Sequence, residues 1–98
     1  MKIEENSIIQ SLRDETKEVK QGALIYLLTE SFSIFYHLDE MGNDQEKCEM
    51  LKEDLIELFT TSKEYCRKNG ISWQECKQKV IENGHNKAFS EFIELLNL

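Results

Sequence analysis

The stretch LKEDLIELFTTSKEY, residues 51–65, sets Leu51, Leu55, Leu58, Ser62 and Tyr65 at alternating steps of four and three. That is the period of one face of an α-helix, not the strict alternation of a strand. A 4-3-4-3 seam suits a neighbour packed at a shallow crossing angle, as in a helical bundle. Ser62 is the polar member of the seam, which therefore weakens toward its C-terminal end. Outward from this core stretch, Asp44 can cap the start of the helix and Asn69-Gly70 supplies its stop. Residues 42–44, Gly-Asn-Asp, form the clearest interior turn.

Upstream of that turn, apolar residues recur at Ile8, Leu12, Val19, Ala23, Leu27, Ile34 and Leu38. The spacing predicts one long helix, capped by Asn6 or Ser7 and running to Met41 unless Gly22 kinks it. Leu12 and Val19 define its inward face. Downstream, Ser72-Trp-Gln-Glu75 is a capping box, with Ile71 and Cys76 placed to form a hydrophobic staple. This third helix ends at Asn83-Gly84, and turns are expected at 69–72 and 83–86. A last short helix carries Phe89, Phe92, Ile93 and Leu96 on one face. The expected fold is all-α: a bundle of about four helices, two long and two short, in a single domain spanning residues 1–98.

Composition supports this and narrows the function classes. The 98 residues contain no proline and four glycines, so long helices are allowed and a loop-rich β fold is disfavoured. A hydrophobic share of 40% is enough for a core and argues against disorder. The net charge of -7 repels nucleic-acid backbone and anionic membrane, so neither is an expected partner. It still admits a small nucleotide that arrives with Mg²⁺. Cys48, Cys66 and Cys76 are odd in number and none has metal-ligand spacing, which points to reduced thiols and a cytoplasmic location. The N-terminus lacks an apolar signal-like stretch, and residues 23–38 are too short and too polar to span a membrane. The small core and the apolar residues on more than one side of the first helix, from Tyr26 to Leu28 and from Phe32 to Tyr36, point to a homodimer or tetramer.

The chemistry-bearing residues are carboxylates. Glu15 falls between Leu12 and Val19, and Glu18 follows it by three, so on a continuous helix the two share a face. Asp54 and Glu57 repeat the spacing beside Leu51, Leu55 and Leu58. If the two long helices pack antiparallel, these pairs can converge, and acidic side chains from facing helices are a known way to hold a divalent cation. The plainer alternative is a solvated face with Lys17 and Lys20 as local partners.

The segment Leu12-Arg-Asp14-Glu15-Thr-Lys-Glu18-Val resembles the EExxE motif of MazG-like nucleoside triphosphate pyrophosphohydrolases, with Asp14 in place of the first Glu. Asp54-Leu-Ile-Glu57 is similar to that family's ExxD motif with the acid types exchanged. The stretch from Gly70 through Lys79 to Asn83 resembles its glycine, short helix and KxxxN. The interval between Glu18 and Asp54 is longer than usual for the family. The resemblance implies Glu15, Glu18, Asp54 and Glu57 as Mg²⁺ ligands and catalytic residues, with Lys79 and Asn83 on the substrate phosphates. Cleavage of a nucleoside triphosphate to monophosphate and pyrophosphate follows from it. Read without the resemblance, Lys79 and Asn83 are an exposed lysine and a helix C-terminal residue. His37 and His85 have no partner at metal or triad spacing, and Trp73 suits a cover for the bundle end. The rival reading is a non-enzymatic acidic helical protein that blocks a basic partner, in the manner of immunity proteins and phage-encoded inhibitors.

Overall fold

A computed structural model describes residues 1–40, 42, 45–83 and 86–98. It is all-α, with no strand among the described residues. A 3₁₀ turn at Ile3–Glu5 leads into a short α1 (Ser7–Ser11). Four substantial helices follow: α2 (Lys17–Glu40), α3 (Gln45–Asn69), α4 (Trp73–Asn83) and α5 (Asn86–Leu96).

The predicted first helix is two helices. Asn6 caps α1, its side chain accepting from the amides of Ile8 and Ile9. The chain then makes tight turns, with the amides of Leu12, Arg13 and Glu15 donating to carbonyls three residues back. Thr16 restarts the helix, its hydroxyl accepting from the Val19 amide at 3.3 Å. This second cap divides the segment. Gly22 does not, because α2 continues through it.

The inward face of α2 also differs from the one expected. Leu24, Leu28 and Phe32 are buried, whereas Val19 and Ile34 are exposed, as is Ile8 on α1. Apolar residues lie nearly all round α2, so sequence period alone could not fix which side turns inward. On α3 the expected seam holds: Leu55, Leu58, Ser62 and Tyr65 are buried and Leu51 is half-buried. Phe59 and Cys66 widen that face. Buried Ser62 is satisfied, its hydroxyl donating to the Leu58 carbonyl at 2.6 Å.

The turn from α3 to α4 follows the sequence closely. Gly70 adopts φ +66, and the Ile71 amide donates to the Cys66 carbonyl at 2.9 Å, a Schellman closure. The Ser72 hydroxyl accepts the Glu75 amide at 3.2 Å, the first half of the capping box. The second half is absent, because the Glu75 carboxylate instead accepts from Gln21 on α2. Ile71 and Cys76 are both buried, as a staple requires. At the other interior turn Gly42 takes φ +63. The Asp44 cap, and Gly84 and His85 of the 83–86 turn, lie outside the described residues.

Contacts at the ends of the helices fix their directions. Lys20 meets Asn69, while Ile34 and Phe35 share a groove with Leu51, Leu55 and Leu58, so α2 and α3 are antiparallel. Gln21 meets Glu75 and Thr29 meets Asn83, so α4 runs parallel to α2. Helix α5 returns beside α4, and the Leu98 carbonyl accepts from Trp73 Nε1 and Lys77 Nζ. Phe32, Phe59, Phe89 and Phe92 form the aromatic centre, with Phe32 edge-on to Phe89 at 5.2 Å. The run from Phe32 to Tyr36, expected in the core or at a subunit interface, is thus largely used inside the chain, with Phe35 and Tyr36 packed against the same core. The N-terminal segment lies along α3, where Ile3 is fully buried and its amide donates to the Thr61 hydroxyl.

Candidate functional site

The four carboxylates do not come together. Glu15 sits in the bend before α2 rather than on a helix, so it and Glu18 do not share a helical face. Glu18 lies in the first turn of α2, the end that meets Asn69. Glu57 lies twelve helical residues before Asn69, about 18 Å along the axis of α3, and Asp54 lies farther still. The reason is register. Two antiparallel helices pair positions equidistant from the connection between them, and these two acidic pairs stand at unequal distances from the connection between α2 and α3.

Asp54 and Glu57 instead flank the amino group of Met1, at 3.6 and 3.5 Å, in open solvent. No group of three or more His, Cys, Asp and Glu side chains able to hold a metal ion occurs among the described residues. In this arrangement the residues do not fit a Mg²⁺ ion. The expected phosphate contacts are also placed elsewhere. Lys79 is exposed and pairs with Glu82 at 3.6 Å, and Asn83 donates to the Thr29 hydroxyl at 3.3 Å on the flank of α2.

A different feature stands out on α2. Its outward side presents Val19, Tyr26 and Ile34, which are 43%, 59% and 57% exposed. They step by seven and then eight residues, which sets Val19 and Tyr26 nearly in line and turns Ile34 partway toward the groove against α3, so that the three form one slanting row. Gly22 lies within the stripe and leaves it open, with no atom within 4 Å of where a Cβ would stand. Exposed Glu18 borders the N-terminal end of the stripe, Glu30 stands between Tyr26 and Ile34, and Glu40 lies beyond Ile34. Tyr36 donates to Glu40 at 2.9 Å, and that bond and the carboxylate's charge hold the phenol above its ordinary pKa. The surface is therefore a row of exposed apolar side chains with one carboxylate at its N-terminal end and another, Glu30, within it. Sequence reasoning passed over it because Val19 and Ile34 were assigned to the core; the all-round apolarity of the helix was the available signal.

The thiols form a second local arrangement. Cys66 on α3 and Cys76 on α4 are fully buried, with their sulfurs 3.9 Å apart in a thiol hydrogen bond. That bond and burial push the Cys66 thiol up, so it stays protonated and unreactive. Trp73 packs against the core at the end of α4, as its position in the sequence suggested. No helix among the described residues is long and apolar enough to cross a membrane. Compared with protein-family models, curated proteins and solved structures, the chain matches none.

Proposed function

We propose that this chain is a non-enzymatic helical interaction module that engages a basic, amphipathic segment of a partner protein through the outward face of α2. The carrying observation is the row of exposed Val19, Tyr26 and Ile34 on α2, with Glu18 at its N-terminal end and Glu30 between Tyr26 and Ile34. Exposed apolar side chains grouped along one helix face of a small domain favour an interaction surface. Tyr is well suited to such a site, since it buries a large ring at low entropic cost. Those two carboxylates and the net charge of -7 favour a lysine- or arginine-rich partner and speed its encounter.

The test uses a photo-crosslinking amino acid at position 26 in the intact chain, expressed in its producing cell. The expected result is capture of one partner through a segment with excess Lys and Arg, suppressed by Ile34→Glu. The same probe at exposed Glu91 on α5 is the control and captures nothing specific. Equal capture at both positions, capture of a second copy of the chain, or capture through an acidic segment overturns the proposal.

The pyrophosphohydrolase reading stands on the motif resemblance. It is tested on the same protein by pyrophosphate release from a panel of nucleoside triphosphates with and without Mg²⁺. Release that depends on both Mg²⁺ and Glu18 would restore it, and would require an arrangement of the carboxylates other than this one.

A further inference from the structure

A cleft of about 550 Å³ opens where α1 and the 12–16 turn meet the C-terminal end of α3, away from the outward stripe of α2. Two features of its lining set it apart from ordinary surface. Tyr65 is 7% exposed, and its hydroxyl has no hydrogen-bond partner among the described residues. No fully buried side-chain polar atom in the described residues lacks a partner, so this hydroxyl keeps some access to solvent, and Tyr65 lines the cleft. Burial, with smaller contributions from Cys66 and Glu4, raises its pKa, so it remains a donor at neutral pH.

The second feature is Lys20. In a chain with 19 acidic and 12 basic residues, half-buried Lys20 has no carboxylate partner among the described residues. It donates to the neutral Asn69 Oδ1 at 3.2 Å, and Asn69 is itself held by its Nδ2 donating to the Tyr65 carbonyl at 2.8 Å. An ammonium has three donors, so two remain for a ligand. The acids that line the cleft are already matched: Glu4 pairs with Lys68 at 3.5 Å, and Asp14 with Arg13 at 3.6 Å. Buried Ile9 supplies an apolar wall.

We propose that this cleft binds a small organic molecule carrying one oxyanion group, a carboxylate or phosphate. Lys20 and the Tyr65 hydroxyl hold the oxyanion, and the organic body lies toward Ile9. A donor without an acceptor and a cation without a counter-charge, lining one cleft, are the complement of an oxyanion. The apolar wall favours an organic body over a bare ion. This site is independent of the α2 stripe and stands or falls separately.

The probes are phenyl phosphate, benzoate and inorganic phosphate, titrated into the full chain and followed by amide chemical shifts. Phenyl phosphate or benzoate is expected to move Ser11, Lys20 and Asn69, more strongly than inorganic phosphate does. Tyr65→Phe and Lys20→Gln are each expected to weaken binding about tenfold, the worth of one hydrogen bond to a charged group. Lys79→Gln, on remote α4, should leave it unchanged. Tyr65→Phe keeps the buried ring, and an unchanged shift pattern elsewhere verifies its fold. The proposal is overturned if no probe moves the cleft resonances, or if binding survives both cleft substitutions undiminished.

Discussion

The two faces of α2 are nearly equal in apolar content and opposite in fate. Leu24, Leu28 and Phe32 are sealed against α3, α4 and α5, while Val19 and Tyr26 stand in water on the far side and Ile34 is exposed at the rim of the groove against α3. Hydrophobicity alone does not bury a residue; it does so only where another element supplies a surface to meet. On α3 the two sides differ strongly, with lysines and glutamates opposite the Leu55–Tyr65 seam, and there the sequence picks one face. Helix α2 carries a second apolar face that its own chain does not use, and that surplus is the physical basis for assigning a partner to it.

Substitutions on the two faces should separate these roles. The largest effect is expected from Phe32→Ala, which removes a ring in contact with Phe35, Tyr36, Phe89 and Phe92. It should cost about 3–5 kcal/mol in chemical denaturation, enough to unfold much of the population of a small domain. Tyr26→Ala, the same kind of truncation on the outward face, should change stability by less than about 0.5 kcal/mol. Comparable losses at both positions would mean that the outward face is covered within the chain.

Next in size is Thr16→Ala at the junction of α1 and α2. Losing the hydroxyl that accepts from Val19 should cost about 1 kcal/mol, and hydrogen exchange should quicken first in the opening turn of α2. An unchanged exchange rate there would show that the break at 12–16 is held by packing rather than by the cap.

Gly22→Ala is expected to stabilise. Gly22 lies within a continuous helix with nothing near its missing Cβ, so an alanine gains helix propensity without a clash. The gain should be roughly 0.5–1 kcal/mol, seen as a melting temperature several degrees higher. The same methyl would intrude on a partner seated against the stripe, so raised stability with weakened crosslinking at position 26 is the joint signature.

The smallest effect on stability belongs to Ile34→Ser. With Ile34 57% exposed at the rim of the groove against α3, the hydroxyl should change the unfolding free energy by no more than about 0.5 kcal/mol while lowering partner capture at position 26. Calorimetry on the isolated chain and crosslinking on the same variant check the two halves of that expectation.

Much of this architecture was written locally. The Leu55, Leu58, Ser62 and Tyr65 seam, the stop at Asn69-Gly70, the cap at Ser72 and the apolar face of the last helix all emerge from spacing and turn chemistry. Each depends on residues a few positions apart, where helix period and backbone conformation act directly. The Thr16 cap was equally local, but it was masked by an apolar spacing that continued across the break.

The relation between distant residues was not local. Glu18 and Asp54 each lie in a legible acidic pair, yet whether the pairs meet depends on how far each stands from the hairpin turn. With Glu15 and Glu18 at the start of α2 and in the bend before it, and Asp54 and Glu57 nearer the other end of the pair, the antiparallel packing that could have joined them keeps them apart. The same holds for the meeting of Tyr65 and Lys20 in the lining of one cleft, and of Cys66 with Cys76 across two helices. The sequence by itself determined that the chain is helical, where most helices begin and end, and that it is acidic. Tertiary packing alone decided which side of α2 faces water and which polar groups share a cleft, because those outcomes depend on the register and rotation of whole helices, which no local preference specifies.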